Sequence, residues 1–417
     1  MISRRILLTG LSTHWGGRLA QVLEQDPEVE AIIGIDKRPP KVALERTEFV
    51  RVTDQHSLIR RIVQAAEIDT VVDTRLVVDS IITSGRLAHE NNVIGTMNVL
   101  AACGGADSPV RKVVFKSSAH YYGCEQDDPA FFTEAMRRPH PPRTPIERDV
   151  VEAESAVREF AERNPQTTVT VLRFANGLGP AIRTSHTRLF QLPVIPTLLG
   201  FDPRYQFIHE DDIANCLEHA VRYDLDGVFN CAADGVLALS EVISLLGHVN
   251  APVLPPVGTG LALAALRRVG INIPVEMRNQ LRFGRGLDNR CLKATGFRYR
   301  YTTREAVLKL REHQRLAPLL ARDAEPYRYE EEVEEFLRRS PNVRAATRAA
   351  AQAAAAPHAI PRRSPDDYGA LKASEVIALL DSLDHPALVA LREHEAAGAA
   401  RRTVLAAIDG HLGGTLA

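Results

Sequence analysis

The chain is 417 residues long, 25% charged and 45% hydrophobic, with 51 basic against 52 acidic side chains. That is the composition of a folded chain of two or three domains, and it excludes a disordered or fibrous protein and a small disulfide scaffold. A net charge of −1 gives no general reason to expect a nucleic-acid partner or an anionic membrane surface. The basic residues are almost all arginine, with lysine only at positions 37, 41, 112, 116, 293, 309 and 372.

In chain order, short apolar runs rich in β-formers alternate with helical patterns over the first 175 residues. The strand-like runs are Ile6–Thr9, Ala31–Asp36, Phe49–Thr53, Thr70–Asp73, Lys112–Ser117 and Thr168–Phe174, with helix-like stretches such as Gly17–Glu24 and Asp149–Arg163 between them. Strand, helix, strand in repetition predicts right-handed crossovers and a parallel sheet covered by helices on both faces. Continuously apolar runs such as Val113-Val114-Phe115 suit strands buried on both sides. The expected fold class is therefore α/β, a Rossmann-like doubly wound parallel sheet over residues 1–175. A smaller α/β substrate lobe interleaved with it is expected over 176–321. It holds strand fragments Tyr205–Ile208 and Val228–Cys231, and helices over Asp212–Val221, Leu239–Leu246 and Thr303–Arg315.

Residues 322–369 carry a charged helix pattern, Tyr329–Arg339, and then an Ala- and Pro-rich stretch read as a linker. Residues 370–417 regain helical periodicity, with Val376, Leu380, Leu388, Leu391, Val404 and Ile408 among the apolar positions. So short a segment has too little core to stand without help. It is expected to dock on the body, to self-associate or to contact another protein.

Five scattered cysteines (103, 124, 216, 231, 291) show no zinc spacing, so no metal site is expected, and a reducing cytoplasm fits them. The N-terminus runs directly into Arg5-Ile6-Leu7-Leu8-Thr9, so no cleaved leader is expected. No apolar run reaches the roughly 18 residues of a membrane span.

The first strand ends in Thr9-Gly10-Leu11-Ser12-Thr13-His14-Trp15-Gly16-Gly17. A Gly-rich turn between strand and helix lets the backbone approach a pyrophosphate, and the helix N-terminus offers free N–H groups and a positive dipole end. Gly10 and Gly16 stand where such a turn needs them, and Thr13 occupies the place of the middle glycine. Asp36 closes the second strand 26 residues after Gly10. A carboxylate there accepts both ribose hydroxyls of NAD and repels a 2′-phosphate. Lys37 and Arg38 follow, which leaves NADP as the less favoured alternative.

Further segments match a known family in order. They are Asn92-Val93-Ile94-Gly95-Thr96-Met97-Asn98-Val99-Leu100, Lys116-Ser117-Ser118-Ala119-His120-Tyr121-Tyr122-Gly123, Leu172-Arg173-Phe174-Ala175-Asn176-Gly177-Leu178-Gly179-Pro180, Phe207-Ile208-His209-Glu210-Asp211-Asp212 and Gly227-Val228-Phe229-Asn230. Over about residues 4–315 the chain resembles the extended short-chain dehydrogenases/reductases, the NAD-dependent sugar-nucleotide epimerases and dehydratases. The resemblance implies that Gly10 and Gly16 line the cofactor pyrophosphate, Asp36 holds the adenosine ribose and Asp54 lies near adenine. It implies that Ser118 hydrogen-bonds the reacting sugar oxygen and that Asn176 sits at the cofactor–substrate junction. Thr13, Trp15, Arg75 and Asn92 join them as candidate cofactor contacts, and a nucleotide-sugar-like molecule is the implied ligand of the lower lobe.

The sequence leaves the family at its catalyst. The family uses a Tyr four residues before a Lys, in which the Lys lowers the Tyr pKa so that the phenol acts as acid and base. Here Ile146 and Val150 stand at those places. No Tyr lies between Tyr122 and Tyr205, and no Lys between Lys116 and Lys293. Arg148 does not substitute, since no phenol precedes it and a guanidinium does not titrate. A second departure is Asp73-Thr74-Arg75, where the family has a small-residue wall. Arg75 is expected to pair with Asp73 or to meet a phosphate. A third is Thr13, whose side chain is expected to crowd the turn.

Two functional readings follow. In one, the chain is an NAD(H)-binding protein without standard turnover, a sensor or scaffold. In the other, it is a divergent enzyme with substitute acid/base groups beside Ser118. His120, Tyr121 and Tyr122 stand there with Glu147 or Arg148 nearby, but Tyr122 matches a Tyr that ordinary members of the family carry and is not a replacement. An arginine group in the lobe (Arg282, Arg285, Arg290, Arg298, Arg300) is either a diphosphate site or ordinary surface.

Overall fold

The computed structural model describes residues 3–52, 55–80, 83, 85–253, 268, 273–320, 373, 376, 377, 380, 383 and 385–413. Asp54, the charged helix pattern and the linker lie outside the described residues. By internal contacts the chain divides into two units, Met1–Glu325 and Pro326–Ala417.

The first unit is built in chain order from β1 (Arg5–Thr9), α1 (His14–Leu23), β2 (Ala31–Asp36), β3 (Thr47–Arg51), α2 (His56–Ala65) and β4 (Thr70–Asp73). A short helix α3 (Gly85–His89) runs through a π-helical turn, Glu90–Ile94, into α4 (Gly95–Cys103). Next come β5 (Lys112–Ser118), β6 (Phe131–Phe132), α5 (Pro145–Arg163), β7 (Thr168–Phe174), β8 (Asn176–Leu178), α6 (Ser185–Leu189), β9 (Val194–Leu198), β10 (Arg204–Tyr205), β11 (Phe207–His209), α7 (Glu210–Arg222) and β12 (Gly227–Cys231).

Seven of these strands form one sheet in the order β12-β7-β5-β4-β1-β2-β3, and every neighbouring pair is parallel. Strand alternation sorts the core into two layers. Leu7, Val71, Val113, Phe115, Val169 and Val171 face α2, α4 and α5. Ile6, Leu8, Val72, Val114 and Leu172 face α1 and α7. All residues of β4 and β5 are buried, which is why Val71-Val72 and Val113-Val114-Phe115 at their centres read as continuous apolar runs. Strand order reverses between β1 and β4, so a crevice opens there beyond the carboxyl ends of the strands.

One element is placed differently from its position in the sequence. The run around Val228–Cys231 was expected in the lobe, but β12 returns to the main sheet beside β7, with Phe229 opposite Leu172. The expected strand Tyr205–Ile208 divides into β10 and β11, which join different sheets. Among the described residues the lobe holds two strand pairs, a four-stranded sheet whose edge strand β6 comes from before the lobe, and a separate core around Phe190, Tyr205, Phe207, Val242 and Leu246.

The sheet and α5 are pinned by a buried ion pair. Arg173 of β7 forks onto Glu154 of α5 (Nε–Oε1 3.0 Å, Nη2–Oε2 2.6 Å), and the Ser117 hydroxyl donates to the same carboxylate. In the second unit, helices His385–Ala397 and Arg402–Gly413 share a small core of Val376, Leu380, Leu388, Leu391, Val404 and Ile408. Arg401 turns the chain between them by donating its backbone N–H and its Nε to Glu395 (2.9 and 2.8 Å). Among the described residues no helix is long and apolar enough to cross a membrane.

Candidate functional site

The crevice begins at the turn after β1. Gly10 has φ +81°, and a Cβ there would also meet the Arg75 side chain at 2.6 Å, so conformation and space both require glycine. At Gly16 a Cβ would lie 2.2 Å from the Gly10 carbonyl oxygen. Thr13 does not crowd the turn as expected from sequence. Its hydroxyl folds inward, donates to the Gly10 carbonyl (2.7 Å) and accepts from Gly16 N–H (3.0 Å), so it caps α1. The N–H groups of His14 and Trp15, next in the helix, have no intrahelical acceptor, which leaves the α1 terminus suited to an anion.

Asp36, at the end of β2, is brought against this turn. Its Oδ2 accepts from the Ser12 N–H (2.9 Å) and the Ser12 hydroxyl (2.7 Å), and its Oδ1 from Lys37 N–H (2.6 Å). The sequence-predicted carboxylate and Gly-rich turn therefore form one site, with the acid on the β2 side of the phosphate-facing helix end.

On the other side, toward β4 and β5, the crevice is altered. Of the two expectations for Arg75, the structure has the first. Its guanidinium binds Asp73 through Nε (3.0 Å) and Nη2 (2.8 Å), with Asp73 buried and Arg75 partly buried. Burial alone would raise the Asp73 carboxyl, but Arg75 outweighs it and holds it below the usual range. The Arg75 side chain runs from the turn to the start of α4, since a Cβ at Gly95 would meet its Nη1 at 2.7 Å. The π-helical turn explains how this stretch is fixed. Asn91 donates to the Arg75 carbonyl (2.7 Å), while Asn92 accepts from Val77 N–H (2.8 Å) and donates to its carbonyl (2.7 Å). Asn92 is fully buried and both ends of its amide are engaged. Through these bonds it holds this loop.

Ser118, at the end of β5, stands in a directed chain of hydrogen bonds. The Asn176 amide donates to Gln280 Oε1 (2.9 Å), and Gln280 Nε2 meets His120 Nε2 at 3.2 Å. His120 Nδ1 lies 2.8 Å from Ser118 Oγ. Because Gln280 donates to Nε2, the ring proton sits on Nδ1 and points at the serine oxygen. Burial, with help from Arg285, pushes the His120 pKa well below its ordinary value, so the ring is neutral and its accepting nitrogen is occupied. His120 is not placed to take a proton from Ser118.

The other substitutes are engaged as well. The Tyr122 phenol donates to Asn230 (2.9 Å) and accepts from Arg173 (2.8 Å), and burial raises its pKa. The Tyr121 ring is covered by the Arg173 guanidinium at 3.5 Å. Glu147 pairs with Arg138, and Arg148 is exposed. Ile146 and Val150 are both buried in the core between α5 and the sheet. The arginines of the lobe have different partners, with Arg285 partly buried on the Gly123 carbonyl (2.8 Å) and Arg290 exposed on Asp288.

Sequence reasoning missed Gln280, which lies 104 residues from Asn176, and it gave no role to Lys116. The Lys116 side chain is 5% exposed, and its Nζ lies 5.9 Å from the centroid of the Trp15 ring. Among the described residues it has no hydrogen bond and no ion pair. Burial pulls its pKa from 10.5 down to about 8, with Asp73 opposing. The available signal was a lysine inside an otherwise buried strand pattern, a position that such side chains rarely take unless paired.

Comparison with known proteins agrees with this geometry. The model of the "NAD dependent epimerase/dehydratase family" matches residues 6–232. The uncharacterized protein Rv0501 of Mycobacterium tuberculosis is 36% identical over 311 residues, covering 72% of this chain and 81% of that protein. The uncharacterized protein Mb0513 of Mycobacterium bovis matches equally. Among solved structures, MoeE5 in complex with UDP-glucuronic acid and NAD is similar at TM-score 0.56 and 20% identity, covering 75% of this chain and 99% of that one. The UDP-glucose 4-epimerase of Thermotoga maritima with UDP-glucose is similar at TM-score 0.58 and 18% identity, covering 75% and 98%.

Proposed function

The chain belongs to the NAD dependent epimerase/dehydratase family, and from that premise we propose that it binds NAD(H) without the family's epimerase or dehydratase turnover, as a nucleotide-binding sensor or scaffold of the cytoplasm. The observation that carries the reading is the contrast between the two halves of the crevice. The adenosine half is complete: a left-handed Gly10, the open α1 terminus and Asp36 beside the turn fit a ribose diphosphate. A bound nicotinamide would supply hydride transfer, but hydride transfer from an alcohol also needs a group that takes its proton. Ile146 and Val150 offer none, and the proton of His120 already faces Ser118 Oγ.

The nucleotide-sugar complexes of similar proteins support a nucleotide sugar as the second ligand, held toward the lobe near Asn176. Neutral His120 favours a second reading, a divergent enzyme, only if Gln280 releases Nε2 when substrate enters.

Isothermal titration of the purified chain with NADH and NADPH tests the binding claim. NADH is expected to bind at a single site. Asp36→Ala should weaken it about 10- to 100-fold, the worth of a charge-assisted pair of hydrogen bonds, and weaken NADPH less. Equal losses for the two would remove Asp36 from the ribose role.

A further inference from the structure

Lys116 projects from β5 on the face shared with α1, two residues before Ser118, and its ammonium lies under the Trp15 ring. Trp15 in turn reaches β8, since a Cβ at Gly177 would lie 3.9 Å from its Cζ2. Asp36 and Ser12 fix one end of the crevice on the β2 side of the turn. A dinucleotide held there must cross the α1 terminus and lie with its other half over β4 and β5. Lys116 is therefore beneath the ring half.

The charges around it leave it uncompensated. Asp73 of β4 is the carboxylate that acts on it electrostatically, and it is already held by Arg75. On α1 and α7, Arg18 and Asp211 face each other at 3.7 Å. A buried ammonium without an ion-pair partner repels a second cation strongly, because little solvent screens it.

We propose that Lys116 sets the redox-state preference of this site, favouring the reduced, uncharged nicotinamide of NADH over the positively charged ring of NAD+. The inference rests on the dinucleotide reading above and assigns it a ligand: the site reports NADH. It also gives the missing lysine of α5 a counterpart of different function, a cation approaching from the opposite face of the sheet.

The test is a set of dissociation constants for NADH, NAD+ and ADP-ribose on the full chain, wild type against Lys116→Met and Lys116→Arg. Methionine keeps the length of the stem and removes the charge, and arginine keeps the charge. Wild type is expected to bind NADH on the order of tenfold tighter than NAD+. Lys116→Met should bring that ratio close to one, Lys116→Arg should preserve it, and ADP-ribose, which lacks the ring, should change little in either. A folded Lys116→Met protein with an unchanged ratio, or wild type binding NAD+ as tightly as NADH, would overturn this inference while leaving dinucleotide binding intact. Binding of neither dinucleotide by wild type would overturn the underlying reading and this one with it.

Discussion

Replacing Arg75 by alanine is expected to destabilise the N-terminal unit by about 3–5 kcal/mol, the cost of leaving a buried charge without its partner. Asp73 is 3% exposed and has two kinds of neighbour. Arg75 supplies the opposing charge, while Thr9 donates a neutral hydrogen bond of 2.8 Å. The hydroxyl cannot offset the desolvation of a carboxylate. In the variant the acid is expected to protonate, so the loss should be greatest at neutral pH and shrink as pH falls. The double variant Asp73→Asn, Arg75→Met removes both charges and keeps an acceptor for Thr9, and it should recover most of the loss. Urea unfolding of wild type and the two variants measures this. A loss below about 1 kcal/mol in Arg75→Ala, the range of exposed pairs, would mean that the pair is solvated.

Lys116→Met is expected to do the reverse and stabilise the protein by about 3 kcal/mol at pH 7. A lysine held at about 8 in the folded chain and near 10.4 when unfolded resists protonation in the folded state by roughly that amount. The sign of the pH dependence follows. Below pH 8 both states are protonated and the penalty is complete. Between pH 8 and about 10.4 the unfolded chain holds more protons, so the wild-type contribution from this group becomes less unfavourable as pH rises. The advantage of the variant should therefore shrink over that window and be small above it. Unfolding midpoints of both proteins at pH 7, 9 and 10.5 measure it. A variant no more stable than wild type at pH 7 would mean that Lys116 is solvated or paired. A variant of this kind that gains stability while losing ligand discrimination is what a functional residue held at a cost predicts.

Much of the first unit was legible because its strands are buried on both faces. Thr70–Asp73 and Thr168–Phe174 appear in the structure with the boundaries read from sequence, since a buried parallel strand leaves a short run rich in apolar and β-branched residues. What such a run cannot contain is its neighbour. The strand at Gly227–Cys231 was recognisable as a strand, but its place beside β7 depends on a crossover through α7 that follows much of the lobe.

The site divides in the same way. Gly10, Gly16 and Asp36 announce themselves because backbone conformation and a ribose-facing acid demand particular residue types at a set spacing. Thr13 was misread because the letter gives the size of the side chain and not its rotamer, and the inward hydroxyl turns an obstruction into a cap. The Asp73–Arg75 alternative was settled by burial, which pattern alone does not resolve. The hydrogen-bond chain from Asn176 through Gln280 to His120 joins residues more than a hundred positions apart, and no local signal marks it. Lys116 was in plain view within a family-like segment, and only the structure shows that its charge is buried and, among the described residues, unpaired.

The most direct measurement is a turnover assay of the dinucleotide-loaded full chain with UDP-glucose and UDP-glucuronic acid, following C4 epimerisation by chromatography of the products. With Ile146 and Val150 in place of the family's acid–base pair, and with the His120 proton directed at Ser118, no multiple-turnover epimerisation is expected. Steady epimerisation by wild type that disappears in Ser118→Ala would contradict this account and make the chain a divergent enzyme.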